Sequence, residues 1–252
     1  MAQQARTFRV FVSSTFNDLK AERNALQERV FPRLRKLAAE HGCRFQAIDL
    51  RWGVSSRASL DQQAMNICLG EIERCQRTSP RPNFIVLLGD RYGWMPPPSQ
   101  IPQTEFDRIL EHIKSQEESA QDQDREELQK DIALLDDWYD LDENAKPPEY
   151  RLQVRKIGSS YESDSAWWPV ETRLHSILAR ASTELGFPPR ELIPYTASAT
   201  KQEIVAGALQ VDEANEHVFC FLRKIKDFPG EFRAQDFLNL VNANLQKHDL
   251  DQ

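Results

Sequence analysis

The chain has 252 residues, 40% of them hydrophobic, with a formal net charge of −7 and a pI near 5.4. That is enough apolar content for one good-sized core with an elaboration, so a single domain over 1–252 is expected. The acidic balance argues against a nucleic-acid binder or an anionic-membrane binder, and no apolar run approaches the ~20 residues that cross a bilayer.

The first predicted element is Phe8-Arg9-Val10-Phe11-Val12, an apolar strand that stops at Ser13-Ser14-Thr15. An amphipathic helix follows, with Leu19, Leu26, Val30, Leu34 and Leu37 at helical spacing as far as His41-Gly42. Pro32 is expected to kink it. Thr15 and Asp18 have the spacing of a capping box. Residues 43–50 make a second strand, which ends in Arg51-Trp52-Gly53. Ser59 with Gln62 marks the start of a second helix carrying Leu60, Ala64, Ile67, Cys68, Ile72 and Cys75. Phe84-Ile85-Val86-Leu87-Leu88 is a continuous apolar run, as expected of a strand covered on both faces, and Gly89-Asp90-Arg91-Tyr92-Gly93-Trp94 closes it. Strand and helix alternate, which predicts a parallel α/β sheet with helices on both faces.

After Met95-Pro96-Pro97-Pro98 the alternation breaks, and residues 99–197 show helical patterns without a convincing buried strand. One helix carries Phe106, Ile109, Leu110 and Ile113, a second Leu128, Ile132, Leu135 and Trp138, and a third begins near Pro169. Residues 116–127 between the first two are polar and mostly acidic, a solvated helical extension or a link. The stretch is expected to form a helical insertion, docked as a cap near the carboxyl edge of the sheet. Thr200 and Glu203 then form a third capping box, and residues 217–222 a further strand. A final helix from Ala234 carries Phe237, Leu240, Val241 and Leu245.

In a doubly wound sheet the turns after parallel strands gather at one edge, where ligands bind. That would group Ser13, Ser14 and Thr15 with Arg51, Trp52, Asp90, Tyr92, Trp94, Ser198 and Thr200. Hydroxyls, an arginine and aromatic faces suit a nucleotide, although Trp52 and Trp94 also fit a core rim and Arg51 also fits an ion pair with Asp49 or Asp90. Glu203, in the first turn of its helix, is placed to stabilise a developing cation, as an N-glycosidic cleavage requires; it also fits its capping box alone. The cysteines Cys43, Cys68, Cys75 and Cys220 show no Cys-x-x-Cys pair and the five histidines are scattered, so reduced core cysteines and no metal site are expected. A soluble, cytoplasmic protein without a permanently bound cofactor fits these features.

The motifs Phe11-Val12-Ser13-Ser14-Thr15-Phe16-Asn17-Asp18 with Glu22-Arg23, Gly89 to Trp94, and Ser198-Ala199-Thr200-Lys201-Gln202-Glu203-Ile204 resemble the TIR-like domain at the N-terminus of NACHT and WD-repeat proteins. Its relatives include telomerase-associated and nephrocystin-type proteins and bacterial antiphage STAND ATPases. The resemblance covers nearly the whole chain and implies a flavodoxin-like fold and the effector or signalling end of a larger switch protein. Self-association through a parent NACHT or STAND ATPase is implied too, although no NACHT motif is present. Catalytic TIR domains cleave NAD⁺ with a helix glutamate. Glu203 matches it by order along the fold, although the Trp-Cys pair that precedes that glutamate is missing here. Glu105 is the rival, after Trp94. The resemblance thus leaves an NAD⁺ glycohydrolase, a non-catalytic interaction module and, more remotely, a nucleoside-processing transferase.

Overall fold

The computed structural model describes residues 6–15, 19–50, 60 and 62–226. Their contacts divide into two compact units, the first formed by Met1–Gly53, Cys68–Trp94 and Thr200–Gln252, the second by Val54–Ile67 and Met95–Ala199.

The first unit is built on four parallel strands, β1 (Thr7–Ser13), β2 (Arg44–Ile48), β3 (Phe84–Leu88) and β7 (Val218–Leu222), in the order β2-β1-β3-β7. This is the flavodoxin-like order, and its topological switch lies between β1 and β3. Strand alternation sorts the side chains to two faces. Phe11 stands opposite Ile48 on one side and Phe84 on the other, and these pack with Cys68, Ile72 and Cys75 of α3 (Ala64–Thr78). On the opposite face Val12 and Leu87 meet Leu19 and Phe31. The continuous apolar run of β3 and the apolar stretch Val10-Phe11-Val12 of β1 follow from this double cover.

The helix expected after β1 is present and widens just before Pro32. Lys20–Ala25 (α1) passes through a wide π turn, Leu26–Val30, into Phe31–Glu40 (α2). The wide turn directly precedes Pro32, whose ring and missing N–H do not fit a regular α turn. Arg9 ties α3 to the sheet, its backbone N–H donating to Ser79 Oγ at 2.8 Å and its guanidinium pairing with Glu71 at 2.8 Å.

The second unit holds a sheet that its sequence does not announce. β4 (Gln100–Pro102), β5 (Tyr139–Asp142) and β6 (Glu149–Leu152) form an antiparallel sheet in the order β4-β6-β5, which corrects the expectation of an insertion without buried strands. Packed with it are α4 (Gln103–Ser119), α5 (Asp122–Trp138) and α6 (Asp164–Glu184), whose apolar faces share one core with Tyr139 and Leu152. Residues 116–127 are therefore helical on both sides of a two-residue break at Ala120 and Gln121. α6 starts at Asp164, with Ser163 Oγ accepting from the Ala166 N–H, so Pro169 lies past the first turn instead of opening the helix. A short helix α7 (Pro189–Thr196) completes this unit. Among the described residues no helix is long and apolar enough to cross a membrane. The final helix expected from Ala234 lies outside the described residues.

Candidate functional site at the carboxyl edge of the parallel sheet

β1 delivers Ser13, Ser14 and Thr15 to the switch point, and all three are buried. Glu203 comes to the same place on α8 (Ala199–Ile204), which runs into a π turn, Val205–Leu209. Ser13 Oγ donates to Glu203 Oε2 at 2.5 Å, a short charge-assisted geometry joining residues far apart in the chain. The glutamate thus takes a hydroxyl of β1, a partner that the capping-box spacing with Thr200 does not foresee. Ser14 Oγ donates to the Thr15 carbonyl at 2.8 Å, which engages that hydroxyl locally.

Glu203 is 8% exposed. Burial pushes its carboxyl above the usual carboxylate range, opposed by hydrogen bonds from Ser13 and Cys68 and by the charge of Arg23, while Asp49 adds to the rise. Cys68 is buried beside it, and loss of water together with the Glu203 charge pushes its thiol far up. This cysteine is an inert neutral neighbour rather than a nucleophile.

Arg23 is a buried charge of this edge that the sequence reading did not count among its candidates. It is 2% exposed, donates to Asp49 Oδ1 at 2.9 Å and to the Val12 carbonyl at 2.6 Å, and so sets a positive charge under the ends of β1 and β2. Its neighbour Glu22 turns the other way, to Arg223 at 2.9 Å. The Glu22-Arg23 pair marks the helix that follows β1, but sequence spacing carries no sign that Arg23 is buried.

The remaining candidates fall in different places. Asp90, Tyr92 and Trp94 follow β3 in the same unit and are exposed, the last two by 42% and 40%. Thr200 lies in the first turn of α8 and is buried. Ser198 belongs to the second unit. Arg51 and Trp52 lie outside the described residues, as does Asp18 of the first capping box and Ser59 of the second. Glu105, the rival carboxylate, sits in the second unit and accepts from the Tyr195 hydroxyl at 2.7 Å. Tyr195 is 2% exposed, so this bond satisfies a buried phenol and gives Glu105 a structural task.

A family described as a domain of unknown function (DUF4062) matches residues 9–147, more than half of the chain. The chain belongs to the DUF4062 family. It is 32% identical over 89% of its length to the mouse NACHT domain- and WD repeat-containing protein 1, and 31% identical over 87% to the mouse NACHT and WD repeat domain-containing protein 2. It covers 13% of each of those proteins. The rat telomerase protein component 1 is 39% identical over 38% of the chain, which spans 4% of that protein. No solved structure matches. This DUF4062 chain is therefore similar to a small part of large NACHT and WD-repeat proteins.

Proposed function

We propose that this DUF4062 domain is a TIR-like effector or signalling domain of a NACHT-type switch protein, and that it hydrolyses NAD⁺ at the nicotinamide N-glycosidic bond. The observation that carries the reading is the Ser13–Glu203 hydrogen bond at the β1/β3 switch point. Nucleotides bind at that edge in parallel α/β sheets, and a carboxylate there is what a cationic ribosyl transition state requires. In this reaction the ribose C1′–N bond breaks with its electron pair leaving on nicotinamide. Water adds to C1′ and releases its proton, giving ADP-ribose. Ionised Glu203 stabilises the oxocarbenium charge, Ser13 orients the carboxylate, and the exposed rings of Tyr92 and Trp94 offer stacking faces. Because burial raises the Glu203 pKa, the ascending limb of the pH–rate profile should lie above the ordinary carboxylate range.

The test is nicotinamide release from NAD⁺ by the chain clustered on an oligomeric scaffold. Glu203→Gln should abolish release with its circular dichroism unchanged, and Ser13→Ala should slow it by about tenfold to a hundredfold, the range for one positioned hydrogen bond of 1.4–2.8 kcal/mol. Turnover by Glu203→Gln equal to the wild type would remove it as the catalyst.

A second reading, a non-catalytic interaction module, is favoured by the same burial. Two surface clefts of the first unit, one along Val30, Leu34 and Leu37 and one around Arg6, Arg9 and Arg44, are not bordered by Glu203. On that reading the clustered wild type is inactive and Glu203 is a fastening between α8 and β1.

A further inference from the structure

Glu203 stands next to the last residue of α8, and the turn that follows is wider than an α turn. The Gln210 N–H, which α geometry would send to the Ala206 carbonyl, donates instead to the Val205 carbonyl at 3.0 Å. The Ala206 carbonyl thereby loses its helical donor, and a side chain from another element replaces it: Gln76 Nε2 of α3 donates to it at 2.9 Å. α3 meets this segment in two places. Cys68 lies beside the Glu203 carboxyl, and Gln76, about two turns further along the helix, holds the wide turn. Between them Ile72 belongs to the apolar cluster on which Ile204, Ala206 and Ala208 pack. Gly207 is seated directly on the Phe84 ring, which a Cβ at that position would meet at 2.4 Å.

We propose that Gln76 is a positioning residue for Glu203: by holding the Ala206 carbonyl it keeps the turn wide, and the wide turn keeps the Glu203 carboxyl on Ser13. The control is a competition for one acceptor. A carbonyl in a packed segment needs a donor, and the Ala206 carbonyl has two within reach of its chemistry, the Gln76 amide and the Gln210 N–H. The first leaves the turn in π geometry; the second closes it to α geometry. Closing the five residues Val205–Leu209 would rotate the two ends of the segment against each other by roughly one residue's turn, about 100°. The Gly207 end is fixed, because Phe84 beneath it is stacked on Phe11 at 5.9 Å between centroids. The Glu203 end would therefore take up the rotation, and its carboxyl would leave the Ser13 hydroxyl that now lies 2.5 Å away. The consequence for turnover rests on the proposed NAD⁺ reading, whereas the consequence for the carboxyl does not.

The experiment follows the Glu203 carboxyl of the full chain by carbon NMR, its resonance assigned by its loss in Glu203→Gln. Ser13 donates to the ionised carboxyl, so Ser13→Ala should raise the titration midpoint in the wild type. In Gln76→Leu, where that bond is already broken, Ser13→Ala should leave the midpoint unchanged, and Gln76→Lys, which keeps a donor, should restore the rise. Arg23, Asp49 and Cys68 also bear on this titration and are the same in every variant. An equal rise in the wild type and in Gln76→Leu would overturn the proposal, as would a wild-type midpoint that Ser13→Ala does not move. Gln76→Ala makes the same comparison if the leucine variant does not fold, and loss of the fold in both would make Gln76 a structural residue and overturn the proposal as well. On clustered chains Gln76→Leu should lower kcat by the same factor as Ser13→Ala, about tenfold to a hundredfold, with KM unchanged, and the two together should cost no more than either alone; losses that multiply would count against it. Absence of turnover in the clustered wild type would remove the catalytic reading, and the NMR comparison would still decide what holds Glu203.

Discussion

At the scale of residues, the carboxyl edge of the sheet is an electrostatic cluster whose members depend on each other. Arg23 and Asp49 are both nearly inaccessible, their side chains 2% exposed, and they pair at 2.9 Å. Removing one partner of such a pair leaves the other charged in low dielectric, so Arg23→Ala should destabilise the fold by about 3–5 kcal/mol. Replacing both at once, Arg23→Met with Asp49→Leu, should cost far less; urea denaturation of the two variants makes the comparison, and equal losses would show that packing rather than charge sets the cost. Glu203 yields a second prediction with a definite sign. Its folded pKa is raised above its ordinary value of 4.5, chiefly by burial. A carboxyl raised on folding gives its full contribution below the unfolded value and loses it as pH climbs through the folded one. Glu203→Gln cannot ionise, so its stability relative to the wild type should improve as pH rises above the ordinary carboxyl value of 4.5. A stability difference flat across that window would mean that the carboxyl is not desolvated. None of these pairings is legible in the sequence, because Ser13 and Glu203, or Arg23 and Asp49, meet only after the chain has folded.

Elements were legible in proportion to the apolar pattern that their burial imposes. β3 announced itself as an unbroken apolar run and β1 as one interrupted by Arg9, because helices cover both of their faces, and α4 and α5 did so through the helical spacing of Phe106, Ile109, Ile113, Ile132 and Leu135. β4, β5 and β6 were missed for the converse reason. They are three or four residues long, and Asp140, Asp142, Glu149 and Arg151 occupy half of β5 and β6, so each strand buries a single side chain in the core: Ile101, Tyr139 and Leu152. The acidic stretch between α4 and α5 was legible as solvated but not as helix, because exposed helical residues need no apolar period. Its structure makes a prediction. Helical backbone resists proteases, and the break at Ala120 and Gln121 is followed by residues 122–127, all exposed. A broad-specificity protease should therefore cut first at this break, and the shared core of α4, α5 and α6 should hold the fragments together. Arg173 and Arg180 of α6, which grip the buried Asp131 of α5 at 2.7 and 3.1 Å, add to that hold. Early cutting inside α5, or separation of the fragments on gel filtration, would contradict this packing.

At the scale of the molecule, the chain builds separate hydrophobic cores, one centred on Ile101, Phe106, Leu135 and Leu174 in the second unit, the others on the two faces of the parallel sheet. Each unit with its own core is a candidate for its own unfolding transition. Gly207 offers a way to perturb one alone. It lies in the π turn after α8, and a Cβ added there would meet the Phe84 ring at 2.4 Å, while Phe84 is held in turn by stacking on Phe11, centroids 5.9 Å apart. The ring cannot yield without disturbing β1 and β3, so Gly207→Ala should destabilise the first unit by about 1–3 kcal/mol, the usual cost of overpacking. With Trp52 and Trp94 of the first unit replaced by Phe in both backgrounds, the fluorescence of Trp138, Trp167 and Trp168 reports on the second unit. The expected result in urea is that amide-exchange protection of β1 and β3 is lost at lower denaturant in the variant, while the fluorescence midpoint stays where it is in the wild type. If both probes shift together, the cores unfold as one cooperative block, and any signal raised in one unit is felt directly by the other.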